Sequence, residues 1–375
     1  MTRIGTRLVG VEHEYRVIGP DGSQRDMRLL IDSLPIPGWR CDPGDPHALR
    51  CLHGSVITAD GLEAEIATPP LPCGRATIGR LQAHVAAGES DLLAALGEES
   101  RIEGYSTHLN VEAPRRGGQR AALRLARQWS ASLILLTHER HSPGLLVRPR
   151  WKRMELGCEF LAPARLGPAL AFATAATTLA VCRRGSRTLP VLDVAVAPSR
   201  QRYGWYVDRT AFGVDLLEAG RGSVLRTTSG RTLRAQDHLE EAWASARPHV
   251  ASSFDSSVVG ALDEIVDGRT ALACETSTQD TLAAPGSVSD PSPIPCLPLT
   301  YAVGDYRLRP NSLTWHSSVF EIVGPGGSRW ITVPGEGCLA FLEALHDGRF
   351  DDAIRSGRRR LRDRKSTRLN SSHRL

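Results

Sequence analysis

The placement of acids near the amino terminus constrains the fold more than any other feature of the chain. From Leu8 to Val17 apolar and acidic residues alternate, so Glu12 and Glu14 share one face of an extended segment while Val11, His13 and Tyr15 point to the other. Ser55 to Thr68 repeats the pattern with Glu63 and Glu65. A strand rises ~3.3–3.4 Å per residue, which sets two acids on one face only ~7 Å apart, and carboxylates are seldom buried without a partner. Water on a half-solvated strand explains either pair taken alone. Two pairs in strongly apolar strands, joined by Tyr105–Glu112 with His108, Asn110 and Glu112 on one face, point instead to a shared cation if the like faces meet in one sheet.

The remaining periodicities describe a mixed scaffold of one large domain or two ordinary ones. Helical spacing covers Ile78–Leu96, Arg120–Thr137, Pro168–Cys182, Ala235–Arg247, Ser256–Val266 and Cys338–Arg360. Strand alternation returns in Leu145–Leu161, which carries Arg148, Arg153, Glu155 and Glu159, and in Tyr301–Val333, where Gly324–Gly327 reads as a hairpin turn. Residues 19–46 are rich in Gly and Pro, and 283–298 form a Pro/Ser-rich loop. No solenoid or propeller period is visible. The apolar run Leu166–Cys182 contains Pro168 and falls short of the ~20 residues of a membrane span, so it is expected to be a buried helix.

Composition removes several chemistries. Of 46 basic residues only Lys152 and Lys365 are lysine, and Gly-Lys-Ser/Thr does not occur, so a P-loop is excluded and a Schiff-base lysine would have to be Lys152. Phosphate must be met by arginine, backbone amides or metal. Eight cysteines without a Cys-x-x-Cys pair indicate neither a zinc knuckle nor a redox motif, and Cys158, among acids, is read as a packing residue. His138 and His141, three apart, do not fit the His-Glu-x-x-His zinc pattern. No Gly-x-Ser-x-Gly elbow is present, and the amino terminus lacks the apolar stretch of a secretory signal, so a cytoplasmic location is expected.

Residues 363–375 stand apart. Asp363–His373 matches one reading frame of a common short-read sequencing adapter, and the chain proper is expected to run to Arg362 as one catalytic domain, 1–362, with the true sequence continuing beyond. Removing Arg364, Lys365, Arg368, Arg374 and Asp363 takes the formal charge from +5 to +2. The basic balance that would suggest a nucleic-acid partner largely disappears with them.

If the acid-bearing strands belong to one sheet, their common face is a floor of hard oxygen ligands with one imidazole. Such a floor suits Mg²⁺ or Mn²⁺ bridging nucleotide phosphates, with Arg148 and Arg153 meeting the remaining negative charge.

The motifs resemble, in order, those of the glutamate–cysteine ligase type of carboxylate-amine ligase. They are Gly10-Val11-Glu12-His13-Glu14-Tyr15, Glu65-Ile66-Ala67-Thr68, Thr107-His108-Leu109-Asn110-Val111, Val147-Arg148-Pro149 and Met154-Glu155-Leu156. Arg202-Tyr203-Gly204 and Thr228-Ser229-Gly230-Arg231 follow, covering roughly residues 8 to 250. The resemblance implies an α+β, glutamine-synthetase-like fold: a curved, mainly antiparallel sheet with helices on its convex side and ATP with divalent metals on its concave side. It also implies a reaction in which ATP phosphorylates a carboxylate to an acyl phosphate, which an amine then attacks to give an amide. Small-molecule carboxylate and amine substrates are expected, with no nucleic acid or membrane partner, and the superfamily often assembles into homo-oligomers. Glu12, Glu14, Glu63, Glu65, His108 and Glu155 are assigned to metal, Arg148 and Arg153 to catalysis, and Asn110, Lys152 and Arg202 to the nucleotide.

Two positions depart from the family pattern. Asn110 stands where a second histidine is common, and Gly157 where an arginine is common, so Arg153 or Lys152 is expected to replace that cation. The interval from His108 to Arg148 is also short. The alternatives are a metal-dependent phosphoryl-transfer or hydrolytic enzyme and a non-catalytic nucleotide-binding relative.

Overall fold

The alternating segments pair with one another into one sheet. In the computed structural model, which describes residues 7–114, 117–182, 189–199, 204–276, 301–314, 317–349 and 351, the sheet has twelve strands. Ten are used here: β1 (Leu8–Ile18), β2 (Gly38–Trp39), β3 (Leu49–Cys51), β4 (Val56–Asp60), β5 (Glu63–Ala67), β6 (Arg101–Glu112), β7 (Gly144–Arg150), β8 (Arg153–Glu159), β9 (Ala197–Ser199) and β10 (Gly204–Asp208). Their order is β9-β10-β7-β8-β6-β1-β5-β4-β3-β2, and each pairing is antiparallel. Short strands at Gln24–Arg25 and Leu71–Pro72 also pair with β1.

The alternation assigns the two faces as expected. Val9, Val11, Leu109, Val111, Met154 and Leu156 point to one side and are fully or almost fully buried there. They pack against the helices α1 (Thr77–Leu96), α2 (the consecutive segments Gly118–Arg124, Leu125–Trp129 and Ser130–Thr137) and α3 (Pro163–Val181), with α4 (Ala235–Ala251) and α5 (Ser256–Val266) behind. Each fully buried Leu or Val stabilises the fold by roughly 1.5–3 kcal/mol, so this side supplies the main driving force for folding. The helix α3, apolar all round, lies inside that core, as the sequence suggests. The architecture is therefore α+β, a large antiparallel sheet with helices stacked on its apolar face, and the acids lie on the other face.

The middle segment of α2, Leu125–Trp129, is π-helical, which sequence spacing does not reveal. Its wider turn lets carbonyls bond outside the helix: Arg127 accepts from Leu192 N and Gln128 from the ring of His238. Downstream, β11 (Tyr301–Val303), β12 (Tyr306–Leu313), β13 (Ser317–Gly324) and β14 (Gly327–Pro334) form a second antiparallel sheet, followed by α6 (Gly335–His346). Its Phe320, Ile322, Phe341 and Leu345 make a separate apolar cluster. Gly324 pairs with Gly327 across the expected hairpin turn. The Pro/Ser-rich 283–298 and the tail 363–375 lie outside the described residues.

Candidate active site

Register decides which acids meet. Across β1 and β5, Glu14 stands opposite Glu65; across β1 and β6, Glu12 stands opposite His108 and Glu14 opposite Ser106. Across β6 and β8, Asn110 faces Glu155, and across β8 and β7, Glu155 faces Arg148. Segments as far apart in sequence as Glu12 and Glu155 are thereby brought onto one face, on strands that flank β6.

His108 is the centre of the arrangement. Its Nδ1 lies 3.2 Å from Glu12 Oε2 and 3.7 Å from Glu155 Oε1, and its Nε2 lies 3.5 Å from Glu14 Oε1. Burial opposes protonation of this ring, but the hydrogen bond to Glu12 and the charges of Glu12, Glu14 and Glu155 prevail and raise its pKa to about 9. Burial likewise favours the neutral form of Glu12. The His108 hydrogen bond and the Arg153, His108 and Arg148 charges outweigh it, holding this carboxyl at about 2.

Glu65 behaves in the opposite way. Half-buried beside Glu12, Glu14 and Asp60, its carboxyl is pushed well above the ordinary range, by desolvation first and then by the neighbouring negative charge of Glu12. Glu14, which accepts a hydrogen bond from Ser106 Oγ at 2.6 Å, is raised as well, chiefly by burial. Oxygen and nitrogen atoms of Glu12, Glu65 and His108 lie within 4.8 Å of one another, and so do oxygens of Glu14, Asp60 and Glu65. Glu65 is common to both groups. Both amide atoms of Asn110, fully buried next to this face, lack a hydrogen-bond partner among the described residues. Hard carboxylate oxygens, one imidazole and an unsatisfied amide fit Mg²⁺ or Mn²⁺ better than a soft metal.

The cationic half of the site surrounds Glu155. Arg148 Nη2 contacts its Oε1, Arg150 Nε donates to its Oε2 at 2.8 Å, and Arg153 Nη2 lies 3.6 Å from Oε2 and 3.4 Å from Glu12 Oε1. Glu155 is thus held by arginines, at the edge of the acidic groups. Beside His108 on the other side is a cavity of about 410 Å³, lined among others by Glu14, Ser106, Gly157, Glu159 and Tyr206.

The structure thus brings together Glu12, Glu14, Glu65, His108, Asn110, Arg148, Arg153 and Glu155. Glu63 does not join them: at the turn end of β5 it pairs with Asp60 in the ladder and accepts a hydrogen bond from Gln24. Asp60 takes the place expected of Glu63, and the Asp60-Gly61 turn, with Gly61 at φ 64°, is the sequence signal that could have identified it. Lys152 is exposed in the turn between β7 and β8, in the left-handed region at φ 55°, and its carbonyl accepts from Ala113 N. Arg150 and Arg153 both reach the acids, Arg150 pairing with Glu155 and Arg153 with Glu12 and Glu155. Spacing could have indicated Arg150, two residues after Arg148 on the same face. Arg202 lies outside the described residues. Cys158 donates to Thr107 O and its thiol is pushed up by burial, in line with a packing role.

No protein-family model matches the chain, and no curated protein matches it. Among solved structures it is similar to the crystal structure of the complex between the prokaryotic ubiquitin-like protein Pup and its ligase PafA, at 13% identity and a TM-score of 0.46. The match covers 71% of this chain and 66% of that chain, a little under two thirds of its length.

Proposed function

We propose that the chain is an ATP- and Mg²⁺-dependent carboxylate-amine ligase of the glutamine-synthetase-like kind, forming an amide through an acyl phosphate. The observation that carries the reading is Glu65, half-buried and shared by two groups of metal-compatible donors on one sheet face. Four carboxylates, Glu12 and Glu14 buried, Glu65 half-buried and Asp60 at the exposed rim, gather around one imidazole, and divalent cations relieve their mutual repulsion.

In this reading Glu12, Glu65 and His108 hold one cation and Glu14, Asp60 and Glu65 a second. Bound there, the cations neutralise the triphosphate and the charge that develops as its terminal phosphoryl group moves. As a ligand His108 would first release its proton to solvent, whereas Glu12, already ionised, would need no such change. Arg148, Arg150 and Arg153, oriented by Glu155, offer guanidinium groups to phosphate oxygens, a preorganised form of electrostatic stabilisation. The cavity bordered by Glu14, His108 and Gly157 receives the acceptor substrate. Its acids Glu14 and Glu159 favour an amine that arrives as a cation. The acceptor is either a small amine or an amino group on a polypeptide.

The test is ADP release by the full chain with Mg²⁺, ATP and panels of carboxylates and amines. Release that requires both a carboxylate and an amine supports ligation. Phosphate release without an amine replaces it with a hydrolase, and metal-dependent ATP binding without turnover replaces it with a binding protein.

A further inference from the structure

A third group of metal-compatible donors lies away from the acidic face, in the tight turn after β3. Cys51 closes the strand; its carbonyl accepts from Gly54 N and its amide donates to Ser55 O, so residues 51–55 fold back on themselves. That turn brings His53 beside Cys51. It faces α1, where Asp91 presents a carboxylate, and His53 Nε2 lies 3.2 Å from Asp91 Oδ2. The Cys51 sulfur, a ring nitrogen of His53 and a carboxylate oxygen of Asp91 all lie within 4.8 Å of one another.

We propose that Cys51, His53 and Asp91 bind a zinc-class divalent cation that ties the 51–55 turn to α1. Three kinds of evidence favour a ligand over a packing cluster. The donor set, one sulfur, one imidazole nitrogen and one carboxylate oxygen, is the mixture that Zn²⁺ accepts and that Mg²⁺ does not seek. His53 is 4% exposed, yet its Nδ1 has no hydrogen-bond partner among the described residues, so a buried ring of the group carries an unsatisfied nitrogen. The donors come from two elements already fixed by other contacts: Arg50 Nη1 donates to Gly54 O within the turn, and Ser55 Oγ contacts both the carbonyl and Nδ1 of His84 on α1. Little ordering is left for the metal to impose. Asp91 is 36% exposed, so a fourth position opens to water. On ligation the Cys51 thiol releases its proton to solvent and no other bond changes.

This site is independent of the proposed ligase reading, and Co²⁺ separates the two. Bound to thiolate, Co²⁺ gives a near-ultraviolet charge-transfer band that carboxylate and imidazole ligands do not. The full chain, stripped with chelator and titrated with Co²⁺, is expected to develop that band at one equivalent, and Zn²⁺ should abolish it. The band should persist when Glu12→Gln and Glu65→Gln are combined, and disappear in Cys51→Ala. Asp91→Asn, conservative enough to leave α1 intact, should keep the band but weaken Co²⁺ binding by about tenfold or more. Absence of the band in the parent chain, or its survival in a Cys51→Ala protein of unchanged circular dichroism, would overturn the proposal. Unaltered Co²⁺ affinity in Asp91→Asn would do the same for the ligand set.

Discussion

Glu14 and Glu65 face each other directly across the antiparallel pair of β1 and β5, on a face where both carboxyls are raised above their ordinary range. Like charges directly opposite in a ladder are destabilising, and burial sharpens the repulsion. The apolar side of the same strands offsets this cost, because Val11, Ala64 and Ile66 are buried beneath the acids. A divalent cation between the facing groups should therefore stabilise the fold. At a hundredfold excess over its dissociation constant, Mn²⁺ is expected to add about 2.7 kcal/mol. Thermal unfolding of the chelator-treated protein with and without Mn²⁺ measures this. Glu65→Gln should be at least as stable as the parent without metal and should lose most of the increase, and an equal increase in both proteins would refute the shared-ligand role.

Glu155 organises the arginines and is the member of the site whose removal leaves most charge unbalanced. Glu155→Gln keeps size and removes the anion, leaving Arg148, Arg150 and Arg153 to repel one another. Breaking a buried pair from one side costs about 3–5 kcal/mol, but Arg150 is 40% exposed and regains water, so the lower end is expected. Nucleotide-dependent turnover should fall by roughly 10²–10³-fold, the scale seen when one preorganised donor is lost. Denaturant unfolding and ADP release check the two halves, and a variant with parental values in both would remove Glu155 from the site.

Period-2 alternation was enough to assign the faces of β1, β5 and β6, because burying one side of a strand leaves no other way to place Glu12, Glu14, Glu65 and His108. It could not assign the ends of strands. Glu63 has the same parity as Glu65, but one step along the ladder carries it to the turn, where Gln24 takes it. Asp60, a turn residue by composition, stays exposed, yet the same hairpin sets its carboxylate beside Glu14 and Glu65. Register across strands, which determines that Asn110 meets Glu155 and that Arg150 reaches it from β7, depends on tertiary pairing that no local pattern encodes. The π-helical segment of α2 was equally invisible, since its apolar residues keep helical spacing.

Gly157 is packed where a side chain has little room. A methyl at this position would lie 3.3 Å from His108 Cδ2 and 3.3 Å from Leu146 Cβ, on the wall of the cavity. Gly157→Ala is therefore expected to displace the imidazole by a few tenths of an ångström at a cost of about 1–3 kcal/mol, and to weaken Mn²⁺ binding. Because the substitution leaves every charge in place, loss of metal affinity would isolate the position of His108 as the cause. Mn²⁺ titration followed by electron paramagnetic resonance provides the measurement, and unchanged affinity would mean that the ring does not ligate.

His238, far from the acidic face, sets a pH limit on the fold. In its neutral form Nε2 donates to the carbonyl of Gln128, made available by the π-helical segment, at 3.0 Å, and Nδ1 accepts from Ser132 Oγ at 2.9 Å. Burial lowers this ring from the ordinary 6.5 to about 4. The unfolded chain thus binds a proton that the folded chain refuses between those values. The contribution is complete above about pH 6.5, declines as the pH falls, and is gone below about 4. At ~1.4 kcal/mol for each tenfold change in proton affinity, the span corresponds to roughly 3 kcal/mol. His238→Gln can keep a donor and an acceptor but does not titrate. Urea unfolding of both proteins at pH 7 and pH 4.5 should show the parent losing more stability than the variant, by an amount approaching that figure. Parallel losses would mean that the proton is taken up elsewhere, with His13, His84 and His138, each lowered by burial, among the other sources.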